Sequence, residues 1–181
     1  KTKPNRGVYC GVIDMDLDAV DLQQCADAVM RLRGEYLYSQ KRYTDIQFNF
    51  LSDAKPRRYA TYAKGDYSYA RFRKYMKYVF SYANTASLRN ELSTTPLHTM
   101  KIGDVLIQRG NPYGHAVLVV NIAKNTNGQS IYMLAQSYMP AQDTQILLNP
   151  VSKVRSPWYT LKSGEIRTPE WTFDEEDLRR F

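Results

Sequence analysis

The chain is short of the residues that commonly staple or metallate a small protein. Its 181 residues include two cysteines, Cys10 and Cys25, and two histidines, His98 and His115. That is too few for a disulfide scaffold or a cysteine-ligated zinc site. The cysteines are left to pair with each other, to lie buried and inert, or to supply one reactive thiol. His98, His115 and nearby Asp104 lack the HxxxH or HxH spacing that holds a metal, so neither a metal nor a cofactor is expected. Long apolar runs are missing too, and none approaches the ~20 residues needed to cross a bilayer as a helix. There is no repeat, low-complexity tract or clear boundary, which points to one domain over 1–181. An export signal or lipid-attachment segment would lie ahead of Lys1.

What the chain does have is basic charge and tyrosine. A formal charge of +7 and 15 tyrosines, many beside Lys or Arg, favour anionic partners such as nucleic acid, acidic wall polymer or a membrane surface. "KPRRY" and "ARFRKYMKY" could form a basic aromatic strip for single-stranded nucleic acid. Phe72 and Met76 are needed inside, however, so the strip reads better as the solvated side of an amphipathic helix, and nucleic acid is not the expected partner.

The periodicity predicts helices first and strands second. "GVYCGVIDMDL" (7–17) reads as a short strand. A helix follows, capped by Asp18 or Asp21, with Leu22, Cys25, Ala26, Val29, Tyr36 and Leu37 on its apolar stripe. "DIQFNF" (45–50) alternates as a half-buried strand does, and 52–66 reads as a polar loop long enough to be a lid or binding loop. A second helix, "YSYARFRKYMKYVFSYA", would bury Tyr69, Phe72, Met76, Val79, Phe80 and Ala83, and a short one spans 85–92. Strands are expected at 103–108, 115–123, 130–138 and 145–148, joined by hairpin turns into an antiparallel meander. The tail carries Trp158 and Trp171 and ends in a charged helix or coil. The pattern is α+β.

Chemistry centres on "GNPYGHAVLVVNIA", where His115 opens an apolar strand directly after a glycine-punctuated turn. A cysteine nucleophile needs a base to take its proton and a polar group to orient that base. Cys25 lies near the start of a helix, where peptide dipoles favour a thiolate. His115 is placed to titrate near neutral pH. The next strand offers Gln136 or Ser137 to hold the histidine. The same residues also have a plain structural reading: Cys25 shares a stripe with Leu22, Ala26 and Val29, and cysteine is among the most buried residue types. Trp158, Trp171 and Tyr159 could stack on a sugar ring or pin a terminal segment to the core.

"IGDVLIQRGNPYGHAVLVVNIA" followed by "IYMLAQSY" resembles the core signature of the papain-like amidases and peptidases of the NlpC and CHAP type. The resemblance implies helices packed on an antiparallel sheet, with Gly103-Asp104 opening one strand and His115 the next. It implies Cys25 as nucleophile, His115 as base and Gln136 as the group that orients it. Across "DLQQCADAVMRLRGEYLY", "FNF", "GHAVLVV", "LAQSYMPAQ", "SPWY" and "TPEWTF" the chain is also similar to an uncharacterised family of secreted or lipid-anchored bacterial proteins, a domain of unknown function. That likeness implies an envelope location.

Two functions are therefore expected to compete. The first is an extracytoplasmic cysteine hydrolase acting on amide bonds of cell-wall peptide or a related polymer, with Gln24 helping backbone amides at an oxyanion. The second is an inactive relative that binds a glycan or peptide in the same groove through Tyr138, Trp158, Tyr159 and the 52–66 loop.

Overall fold

A computed structural model of the chain describes residues 6–17 and 21–181. After a 3-10 turn at Arg6–Val8 come strand β1 (Tyr9–Val12), helix α1 (Cys25–Ser39) and the short hairpin strands β2 (Gln47–Asn49) and β3 (Pro56–Arg58). Helices α2 (Tyr59–Ala63), α3 (Tyr69–Phe80) and α4 (Thr85–Glu91) follow, then β4 (Ser93–Thr94). The remaining strands are β5 (Val105–Gln108), β6 (His115–Lys124), β7 (Ser130–Gln136), β8 (Gln145–Leu147), β9 (Tyr159–Thr160), β10 (Ile166–Arg167), β11 (Thr172–Phe173) and β12 (Leu178–Arg180). The architecture is α+β.

One antiparallel sheet runs β1-β8-β7-β6-β5-β12-β4, with β9 added beside β7. The expected meander is its centre: Leu106 pairs with Val117, Leu118 with Ala135, and Ala135 with Ile146. β6 reads as an almost unbroken apolar run because both of its faces are covered. Ala116 and Leu118, with Val105 and Ile107 of β5, pack toward α1 and α3. Val117 and Val119, with Leu106, pack on the opposite face against Leu134, Phe173 and Leu178.

Helix packing follows from one missing side chain. A methyl group on Gly34 would stand 3.0 Å from Met76 Sδ and 3.2 Å from Phe72 Cζ, so glycine lets α3 lie close on α1. Phe72 and Met76 are fully buried there, each contributing about 1.5–3 kcal/mol. Ser68 caps α3 by accepting from the Arg71 amide at 3.3 Å, where an orphan N–H needs a partner.

Several expectations need correction. Asp21 does not cap α1, which begins at Cys25 with Gln24 as its cap residue; Asp18 lies outside the described residues. Tyr36 points outward at 55% exposure. On α3 the buried position belongs to Tyr75, whose hydroxyl donates to the Arg57 carbonyl at 2.6 Å. Tyr69, at the first position of α3, instead stays half in solvent and donates to Glu35. The 52–66 stretch is not a plain loop, since it holds β3 and α2. The charged tail is neither helix nor coil at its end. It forms β12, inserted between β5 and β4, because Leu178 is apolar enough to join the core and Arg180 finds a buried carboxylate.

That carboxylate is Asp104. It accepts from Arg180 Nε at 2.7 Å and Nη2 at 2.8 Å, and from the Lys101 amide at 2.8 Å. The Gly103-Asp104 pair thus anchors the C-terminal strand, and Gly103 supplies the left-handed turn (φ 92°) that precedes it.

Candidate functional site

The start of α1 is set by Gln24, which is extended and donates its amide to Asp27 Oδ2 at 3.2 Å. Cys25 is therefore the first helical residue rather than most of a turn inside. At that position the first amides have no partner within the helix, and the dipole acts most strongly. The Cys25 sulfur lies 3.7 Å from Thr85 Oγ1, the first residue of α4, and 3.9 Å from the Gly114 carbonyl. The Ala116 amide is near enough to lower the thiol's proton affinity. The thiol thus rests against the main chain just before His115.

Burial dominates the electrostatics here. It pushes the Cys25 thiol up, against the pull of Thr85 and of the Ala26 and Ala116 amides, and the Asp27 charge adds to the rise. Burial also lifts Asp27 to about 8, opposed by the Gln24 amide. At neutral pH the pair is thus a thiol beside a mostly protonated carboxyl.

His115 is buried at the first position of β6. Its Nε2 is 2.8 Å from Gln136 Oε1. The pairing of Leu118 with Ala135 sets Gln136 diagonal to His115, within reach for a long side chain. Gln136 Nε2 donates to Glu170 Oε2 at 2.7 Å. Three rings surround the imidazole, with centroids at 5.1 Å for Tyr138, 5.3 Å for Trp171 and 6.1 Å for Phe173. Trp171 is tied down by its indole N–H, which donates to Gln108 Oε1 at 2.9 Å. Gln108 is the residue that pairs with His115 across β5 and β6.

A groove of about 580 Å³ opens beside the thiol, lined among others by Gln24, Cys25, Thr85, Asn90, Arg109 and Tyr113. Gln24 turns its own amide group to Asp21 Oδ1 at 3.4 Å. The structure thus gathers Gln24, Cys25, His115, Gln136 and Tyr138 around one end of the sheet. It does not bring Trp158 and Tyr159 there. Tyr159 is buried on β9 opposite Tyr132, four residues along β7 from Gln136, or about 13 Å at strand spacing. Its hydroxyl donates to the Leu148 carbonyl, and the Trp158 carbonyl accepts from Asn149. Both serve the far end of the core.

Thr85, Asp27, Gln108 and Glu170 escaped the sequence reading. Thr85 and Glu170 lie in loops or at element ends with no periodic signal. The tryptophan beside Glu170 was expected either to stack on a sugar ring or to pin a terminal segment. The two cysteines are unpaired, Cys10 exposed and Cys25 buried. Among the described residues no group of three or more His, Cys, Asp or Glu is placed to hold a metal, and no helix is long and apolar enough to cross a membrane.

Fold and site together define an α+β protein with a helix-initial cysteine resting on the main chain beside a buried histidine, whose ring bonds a glutamine–glutamate chain on the other face of the sheet. The chain belongs to the family described as domain of unknown function (4846), whose model matches residues 1–180. Comparison with curated proteins and with solved structures gives no match.

Proposed function

We propose that the chain is a cysteine hydrolase of papain-like, NlpC/CHAP-type build. It acts outside the cytoplasm, at the bacterial envelope, on amide bonds of cell-wall peptide or a related polymer. The observation that carries this reading is the placement of the Cys25 sulfur at a helix start, 3.9 Å from the Gly114 carbonyl, with the next residue, His115, held at 2.8 Å by Gln136. Nε2 is taken by Gln136, so Nδ1 is the nitrogen left for the thiol proton, and the ring, which packs with Phe173 on the face of β6 away from α1, must turn toward the sulfur for the transfer. The sulfur attacks the scissile carbonyl, and the amides of Cys25 and Ala26 at the start of α1 receive the developing oxyanion. His115 returns the proton to the leaving amine, and water then releases the acyl group from sulfur. Since burial keeps the resting thiol protonated, proton transfer accompanies attack rather than preceding it. The +7 charge suits acidic wall material.

The test is incubation of the chain with purified wall muropeptides, read by mass spectrometry for one added water and a new amine. Wild type is expected to cleave, with a thioester at Cys25 trapped by acid quenching, and Cys25→Ala and His115→Ala are expected to be inert. Equal product from wild type and Cys25→Ala would end the proposal. The raised thiol specifically favours a second reading, in which the groove binds glycan or peptide without turnover. Saturable binding by wild type with no product would select it.

A further inference from the structure

We infer that Glu170 is a positioning residue that sets which nitrogen of His115 carries the proton. The inference extends the hydrolase reading to a residue outside the cysteine–histidine–glutamine set. It starts from the chemistry of a side-chain amide, whose two ends differ only in being donor or acceptor. Gln136 has one end 2.8 Å from His115 Nε2 and the other 2.7 Å from Glu170 Oε2. A carboxylate can only accept, so the NH₂ end must face Glu170. The carbonyl end is then fixed toward His115, and Nε2 must be the donor. In the neutral ring that leaves Nδ1 as the acceptor, the form a base needs. If the amide turned over, its NH₂ would face Nε2, the ring proton would move to Nδ1, and the histidine could not take a proton from the thiol.

The fold fixes Glu170 for this task. It sits in the turn between β10 and β11, closed by the Thr168 amide donating to the Trp171 carbonyl at 2.8 Å and the Trp171 amide donating to Thr168 Oγ1 at 3.1 Å. Trp171 beside it lies tilted against the imidazole and bonds Gln108. The hairpin therefore carries both the cover over His115 and the acceptor that orients its partner.

With only two histidines in the chain, the tautomer can be read directly. The experiment is two-bond proton–nitrogen correlation NMR on the full chain at a pH where the rings are neutral, with His98→Gln used for assignment. Wild type is expected to show His115 protonated at Nε2. Glu170→Ala should lose that preference, the two nitrogens moving toward averaged shifts while the circular dichroism stays unchanged. Glu170→Gln, which can turn its own carbonyl to Gln136, should restore it. A wild-type ring protonated at Nδ1, or a tautomer indifferent to Glu170→Ala, would overturn the inference, the former without needing any variant to fold. Turnover is measured on the same samples. If the tautomer obeys Glu170 while no amide is cleaved, the hydrolase reading fails and the positioning role stands.

Discussion

The Cys25 sulfur stands 3.9 Å from the carbonyl oxygen of Gly114, the residue immediately before His115. The contact depends on glycine. A methyl group at 114 would lie 2.3 Å from the Gln108 carbonyl and 3.0 Å from Thr85 Cγ2, and neither backbone nor the base of α4 can move far. Gly114→Ala is expected to push the start of β6 away from α4. Stability should fall by about 1–3 kcal/mol, measured by urea unfolding. Any Cys25-dependent turnover should disappear even under conditions where the variant is fully folded.

Thr85 acts on the thiol from the other side. Its hydroxyl is 3.7 Å from Cys25 Sγ and lowers the thiol's proton affinity. Thr85→Val keeps the shape and removes the hydroxyl. In a Cys10→Ser background, the thiolate absorbance at 240 nm should appear at higher pH than in the Thr85 protein. The change should be modest, because a long sulfur–oxygen contact is a weak hydrogen bond. No change would mean the contact is not made in solution.

Asp27 and Glu91 give stability a pH dependence of definite sign. Burial raises Asp27 from 3.8 to about 8 and Glu91 from 4.5 to about 7. Between about pH 4 and 8 the unfolded chain has released these protons while the folded chain still holds them. Rising pH across that window therefore favours unfolding, and the loss levels off above about 8. Asp27→Asn should remove its share, with little difference near pH 4.5 and a gain on the order of a few kcal/mol at pH 8.5. Urea midpoints at the two pH values decide it. Above pH 8 the same variant should also ease Cys25 ionisation, because it deletes the neighbouring charge.

Arg180 closes the sheet through Asp104, which is 1% exposed. Arg180→Ala strands that carboxylate without its two charged donors and also frees the Thr99 carbonyl. A loss of about 2–4 kcal/mol is expected. Asp104→Asn in the Arg180→Ala background should recover part of it, since the uncompensated charge is then gone. Thermal or urea unfolding of both variants supplies the measurement.

Much of this was legible in the sequence wherever one physical signal ruled. Alternation and hairpin turns placed β5 to β8 correctly, and the glycine before His115 marked the strand that carries it. Gln136 could be named because antiparallel neighbours share a face. The helix start was not legible. Asp18 and Asp21 look like better caps than Gln24, and only the contact of α1 with the ends of β6 and α4 decides where the helix begins. Trp158 and Tyr159 were assigned to the groove on composition, but β9 draws them to the distant end of β7. The burial of His115 and the arrival of Glu170 depend on a hairpin fifty-odd residues later in the chain (Ile166–Phe173), and no local pattern reports such a meeting. β12 was misjudged for the same reason: a charged tail looks solvated until a buried Asp104 is there to receive it.

The C-terminal strand also imposes an order in time. Synthesis delivers Cys25, His115 and Gln136 first, while the hairpin bearing Glu170 and Trp171 and the strand that separates β4 from β5 come last. A growing chain still held by the ribosome has the thiol and the imidazole, but lacks the acceptor that orients Gln136 and the indole that covers the ring. The candidate site is thus incomplete for as long as its chain is unfinished.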